Sequence, residues 1–228
     1  MEPGGAFDLP SDEAHHVLKV LRARSGDVFE VVDSGQRLYV AELRGGHEAV
    51  VLEELAVPDQ SRSQVVLYQA VPKGRHMDLV VEKATEIGVD RIVPLTTDRG
   101  VVRLDEGTGK VERWRRVAEA AARQSLRLRV PEVGEPASFS EAAREVGGDS
   151  VLLHNGEGLP RLEEAVGPEM VSLFVGPEGG WSEDEVTMAE ESGLMLAQLG
   201  PYRLRSETAG VVAVARARAA LETAVEHT

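Results

Sequence analysis

Apolar positions fall in short strand-like runs along the first quarter of the chain, and then their spacing changes. Residues 28–33, 37–43 and 48–55 are runs of strand-forming residues, separated by turn signals at Ser34-Gly35 and Gly45-Gly46. Such runs read as strands. A helix is predicted over roughly residues 12–23, with Ser11 as its N-cap. The segment 1–60 therefore reads as a small barrel or sandwich, and the polar, turn-prone stretch 58–63 marks a boundary with a second domain, 61–228.

Beyond that stretch, apolar strands and amphipathic helices take turns. Strands are expected at 65–71, 91–95, 151–154, 171–175 and 195–199, and helices near 77–87, 110–126, 139–146, 183–191 and 207–224. In the first of these helices Met77, Val80, Ala84 and Ile87 form the buried stripe, Asp78, Glu82 and Glu86 face out, and Gly88 supplies a stop. Alternation of this kind predicts an α/β domain: a mostly parallel sheet with helices on both faces. The last helix has no polar face over Ala209-Gly210-Val211-Val212-Ala213-Val214-Ala215, so it must be buried in the protein or against a partner subunit.

Two turns carry the candidate chemistry. The strand at 171–175 runs into Gly176-Pro177-Glu178-Gly179-Gly180, then Trp181-Ser182-Glu183-Asp184-Glu185-Val186. Ser182 and Glu185 have the spacing of a capping box, with Trp181 and Val186 at the staple positions. Ligands of open parallel sheets sit beyond the carboxyl ends of strands. Three acids in the first helical turn make this a poor phosphate cradle, so a neutral or cationic ligand fits better, and Glu178 can add favourable charge. A tight connection with no ligand remains an equal reading of this loop alone. The next strand repeats the arrangement through Leu199-Gly200-Pro201-Tyr202-Arg203-Leu204-Arg205-Ser206-Glu207-Thr208-Ala209, where Ser206 is the expected N-cap. Taken singly, Arg203 and Arg205 read as solvated and Glu207 as a partner of the helix dipole.

Composition narrows the function. The 228 residues are 42% apolar, enough for a sizeable core, and no run approaches the roughly 20 apolar residues that span a bilayer. Cysteine is absent, which removes disulfides and thiolate metal sites, and the expectation is a soluble, cytoplasmic chain. A formal charge of −14 argues against indiscriminate nucleic-acid binding, yet bases gather at His15–Arg24 and again at Lys110–Arg129. At 100° per residue, Arg113, Arg116, Arg123 and Arg127 fall within a helical arc of about 80°, while Trp114, Val117, Ala118 and Ala121 share another face. That stripe reads equally as a solvated face. His15 and His16 point in different directions on a helix and have no companion ligands, so no metal is expected.

Together the two glycine-proline loops resemble the paired signatures of RsmE-type RNA methyltransferases of the SPOUT superfamily. Pro72-Lys73-Gly74, Glu82-Lys83-Ala84-Thr85-Glu86-Ile87-Gly88-Val89, Glu119-Ala120-Ala121, Gln124-Ser125-Leu126-Arg127, Pro131 and His15-His16-Val17-Leu18-Lys19-Val20-Leu21-Arg22 agree in order. The resemblance implies a PUA-like N-terminal β-barrel that docks RNA, a C-terminal trefoil knot, and a homodimer packed through the knot. It implies S-adenosylmethionine as methyl donor and N3 of a uridine in small-subunit (16S) ribosomal RNA, free or in the 30S particle, as acceptor. An RNA target of another kind, or a non-catalytic assembly factor on the same fold, are the alternatives.

The donor pocket implied by the family takes Phe174, Gly176, Pro177, Glu178, Gly179 and Gly180 from the first loop. Leu199, Gly200, Leu204, Arg205, Ser206 and Thr208 come from the second, and Leu153, His154 and Asn155 form a third wall. Arg205 is the candidate for stabilising charge on the uracil oxygens, as oxyanion donors do, with Glu178 or Glu207 orienting the base or taking its proton. In the family context Lys19, Arg22, Arg24, Lys73, Arg113, Arg116, Arg123, Gln124 and Arg127 become RNA contacts. Two departures stand out. Ser206 replaces a common threonine, and a glycine-containing tail, residues 1–7, stands where relatives open with a short strand. Either the natural start lies further upstream or the barrel lacks one strand.

Overall fold

A computed structural model describes residues 1–20, 22–56, 63–102, 109–146, 149–167 and 169–226. The boundary expected at 58–63 lies, but for Ser63, outside the described residues. The chain divides into two compact units, Met1–Asp59 with Arg123–Arg129, and Gln60–Ala122 with Val130–Thr228.

The first unit holds β1 (Ala6–Asp8), α1 (Ser11–His15), a π-helical turn His16–Val20, β2 (Val28–Val32), β3 (Leu38–Gly45) and β4 (Glu48–Leu55). Its strands pair antiparallel in the order β1-β4-β3-β2. Two expectations need correction. The glycine-containing tail does form a strand, with Ala6 opposite Val50 and Asp8 opposite Glu48. The helix expected over 12–23 is shorter: it widens into the π turn, and Arg22 at φ 56° lies beyond it in the left-handed region. Ser11 is its first residue rather than its cap. Ala14 and Val17, three residues apart on one helical face, share a buried cluster with Leu9 and Leu43.

The second unit follows the strand–helix alternation. β5 (Gln64–Ala70), α2 (His76–Ile87), β6 (Arg91–Thr96) and α3 (Lys110–Gln124) come first. Then follow β7 (Glu132–Val133), β8 (Ala137–Ser138), α4 (Phe139–Glu145), β9 (Ser150–Leu153), α5 (Leu162–Ala165), β10 (Met170–Val175), α6 (Glu183–Glu191), β11 (Met195–Ala197) and α7 (Ser206–Glu226). The sheet is seven-stranded in the order β11-β9-β10-β5-β6-β7, with β8 on β6, and these ladders are parallel. The short elements β7, β8 and α5 are too brief to produce a period and were not expected.

Period two explains why the strands read as continuous apolar runs. Leu67, Ile92, Val151, Leu173 and Val175 point into one core with residues of α2, α3, α5 and α7. Tyr68, Val93, Leu152 and Phe174 point into the other, with residues of α4 and α6. Both faces are covered, so neither can be polar. The α2 stripe packs as expected, and Gly88, at φ 111°, ends the helix by donating to the carbonyls of Ala84 and Thr85.

Candidate active site

Strand register sets the site. One row of paired residues runs Pro94, Gln69, Val175, Leu153, Ala197 across five strands, so these strands reach their carboxyl ends nearly level. β10 lies between β5 and β9, although it follows both in sequence, and β11 pairs outside β9. The loops leaving this edge therefore meet beside a change in strand order, where parallel sheets place ligands.

Ser206 joins two of those loops. Its hydroxyl donates to the Gly176 carbonyl (2.7 Å) and accepts from Gln69 Nε2 (3.0 Å), which also donates to the Ala70 carbonyl (3.0 Å). Ser206 is therefore the first residue of α7 and a clasp between the loops, not the cap it was expected to be. A cap hydroxyl would turn back to its own helix; this one is spent on β5 and the loop after β10. Ser206 and Gln69 are buried, so the hydrogen bond between them is shielded from water. A second anchor fixes the β11 end: Arg216 Nη1 donates to the Leu199 carbonyl (2.5 Å) while Nε holds Glu163 Oε1 (2.5 Å). The Arg216 guanidinium holds the Glu163 carboxyl below the usual carboxylate range, against the smaller effect of burial.

The loops enclose an open cavity of about 240 Å³. Of the expected donor contacts, Leu153, His154, Asn155, Gly176, Pro177, Glu178, Gly179, Gly180, Leu199, Leu204 and Ser206 line it. Phe174, Gly200, Arg205 and Thr208 do not. The Phe174 ring sits in the core, stacked on Tyr68 at 4.4 Å, because it precedes the strand end by one residue and faces the α4 and α6 side. Arg205 and Thr208 are exposed beside the cavity. Glu178 accepts from the Lys73 amide (3.1 Å), and buried Glu207, off the cavity wall, lies 3.6 Å from His76 Nδ1.

The α6 capping box forms as expected: Ser182 Oγ accepts from the Glu185 amide (3.1 Å), and Glu185 Oε2 accepts from the Ser182 amide (2.8 Å). Trp181 does more than staple. Its indole N–H donates to the Leu153 carbonyl (3.0 Å), and its ring packs against Phe139, so it ties the first loop to the third wall. Sequence reasoning also missed Arg99, Tyr202 and Arg203 as lining residues. The signal for Arg99 was present: Thr97-Asp98-Arg99-Gly100 directly follows a strand, and the rule about carboxyl ends applies to it as it does to the two glycine-proline loops.

The arginine stripe changes. Arg113 is ion-paired with Asp78, and α3 ends at Gln124, with Leu126 left-handed at φ 55°. Arg127 therefore lies past the helix, a correction that no glycine or proline at the turn announced. Arg116, Arg123 and Gln124 are exposed on the helix, as are Lys19, Arg22, Arg24 and Lys73 elsewhere. Trp114, Ala118 and Ala121 are buried on the opposite face. Among the described residues no group of three potential metal ligands occurs, and no helix is long and apolar enough to cross a membrane.

A parallel α/β domain with its cavity at a carboxyl-edge change of strand order, preceded by a small antiparallel module, defines a ligand-binding enzyme class rather than a bare scaffold. Comparison with known proteins makes that class specific. The family model of the RNA methyltransferase domain matches residues 59–218, and that of the RNA methyltransferase PUA domain matches residues 9–55. The chain belongs to this RNA methyltransferase family. It is 35% identical over 229 residues to the ribosomal RNA small subunit methyltransferase E of Mycobacterium bovis, covering 93% of this chain and 86% of that one. The protein of the same name from Synechocystis is 32% identical over 223 residues, covering 94% and 73%. A crystal structure of that enzyme from Neisseria gonorrhoeae, bound to S-adenosyl methionine, superposes with a TM-score of 0.81 at 28% identity and covers 96% of this chain and 93% of its own.

Proposed function

We propose that this protein transfers a methyl group from S-adenosylmethionine to N3 of a uridine in small-subunit (16S) ribosomal RNA, in the cytoplasm. The observation that carries the reading is the Ser206 clasp, which draws the two glycine-proline loops around one cavity. The family match and the named relatives support the substrate class.

The residues present fit the donor. It is a zwitterionic nucleoside with a sulfonium, and the cavity offers glycine backbone, one carboxylate at Glu178 and a guanidinium group at Arg203. Backbone of Leu153, Gly176, Gly179 and Leu199 would hold it, and when bound it supplies a methyl group on positively charged sulfur. The protein's work is then alignment, which is worth several kcal/mol through proximity alone, on the order of 7 or more in favourable cases. N3 of uracil must lose its proton to become nucleophilic. Arg205, exposed beside the cavity, is assigned to the uracil oxygens, where charge develops as that proton leaves. In this reading Glu178, on the cavity wall, orients the base or accepts the proton, and Glu207, 3.6 Å from His76 Nδ1, supports the first turn of α2. Reaching this site requires the uridine to leave its stack.

In this reading residues 1–60 dock RNA through Lys19, Arg22 and Arg24, aided by Lys73, Arg116, Arg123, Gln124 and Arg127, while residues 61–228 carry the chemistry. The position of β10 between β5 and β9 supports a trefoil knot. The half-buried Val211 and Val212 of α7 support a homodimer, to be checked by sedimentation. The deciding experiment is methyl transfer to 30S particles and to naked 16S RNA, with the methylated nucleotide mapped. Transfer to N3 of one uridine is expected; transfer confined to transfer RNA, or no calorimetric heat with S-adenosylmethionine, would refute the proposal.

A further inference from the structure

The turn after β6 is latched onto the glycine loop. The Asp98 amide donates to Glu185 Oε1 (2.9 Å), Ser182 Oγ donates to Asp98 Oδ2 (2.6 Å), and Arg99 Nη1 donates to the Gly179 carbonyl (3.3 Å). Glu185 is buried, and its two oxygens are divided between its own helix cap and this turn. The Arg99 stem lies against glycine backbone: a Cβ added at Gly179 would stand 3.2 Å from the Arg99 Cβ. The latch thus delivers an exposed guanidinium to the cavity wall.

Arg113, Arg115, Arg216 and Arg218 are ion-paired, whereas among the described residues no carboxylate lies within ion-pair distance of Arg99. A single carbonyl takes one of its five donors. On a chain of net charge −14, long-range attraction to RNA is weak, so contact depends on cations placed at the site itself. Arg203, from the loop after β11, lines the same opening.

We propose that Arg99 holds a backbone phosphate of the RNA next to the reacting nucleotide, and that Asp98 is the positioning residue that sets it there. The inference rests on the reading that the substrate is RNA. A planar fork suits a phosphate, and Arg99 sits on the exposed side of the cavity, where RNA must arrive.

The test uses the full chain, a fragment of small-subunit ribosomal RNA as titrant over a range of salt, and calorimetry with S-adenosylmethionine alone. Arg99→Gln is expected to weaken RNA binding about tenfold and to flatten the salt dependence by about 0.7–0.9 in log–log slope, with the donor's heat unchanged. Arg99→Lys should restore the slope. Asp98→Ala, which keeps the cation but removes the Ser182 contact from the latch, should cost roughly threefold in affinity at an unchanged slope. An Arg99→Gln protein with the wild-type slope overturns the proposal. So does one that loses the donor's heat while binding RNA normally, since Arg99 would then serve the donor's carboxylate. Wild-type protein that takes neither donor nor RNA would instead refute the function, and this inference with it.

Discussion

Replacing Gly210 by alanine should destabilise the second unit, although the same change in an ordinary helix interior gains about 1 kcal/mol. The added Cβ would stand 2.2 Å from Gln69 Oε1, 3.3 Å from its Cδ and 3.5 Å from Val80 Cγ1. Gln69 is fully buried and cannot swing aside freely, because its Nε2 holds both Ala70 O and Ser206 Oγ. Among the described residues its Oε1 has no donor, so the cost of moving the amide falls on the donor side. Losing two buried hydrogen bonds costs about 2 kcal/mol and overpacking about 1–3 more. After the helix gain of about 1 is subtracted, the net loss is about 2–4 kcal/mol. Urea unfolding followed by tryptophan fluorescence reports it, since Trp114 and Trp181 are both buried in this unit. Gln69→Ala removes the obstruction, so Gly210→Ala in that background should be neutral or stabilising by up to about 1 kcal/mol, and the double-mutant cycle should show a coupling of about 2–5 kcal/mol. Equal or higher stability of Gly210→Ala in the wild-type background would refute the reasoning.

Two further predictions concern the cavity wall. Trp181→Phe keeps an aromatic ring but removes the donor to the Leu153 carbonyl, so it should cost about 1–2 kcal/mol and weaken donor binding, measured by calorimetry; wild-type values for both would show that this bond positions nothing. Glu163 has a lowered pKa in the folded state, so its contribution is present above the unfolded value near 4.5 and is lost as pH falls through the lower, folded one. Glu163→Gln should remove that contribution near neutrality and reduce the acid sensitivity of unfolding below 4.5, and it should loosen the Arg216 hold on Leu199.

The strands of the second unit were legible because both faces are buried, which gives short apolar runs bounded by turns. The α6 cap was legible because Ser182 and Glu185 bond locally, three residues apart. Ser206 misled for the complementary reason. Its sequence neighbourhood is that of a cap, while its partners Gln69 and Gly176 lie far away in the chain. The π turn at His16–Val20 and the left-handed Leu126 likewise answer to packing and not to a local signal.

Local order along the chain determined the two periodicities, the alternation that makes a parallel α/β sheet, and the two loops whose residues carry the family signature. Periodicity tells which face of a strand is buried, but it is silent about which strand lies beside it. Only the tertiary structure decided that β10 enters between β5 and β9, that Gln69, Val175 and Leu153 share one row, and that Arg99 reaches the same cavity. The physical reason is that backbone pairing between strands uses the same amide and carbonyl groups at every residue, so the choice of neighbour is made by packing of the whole domain.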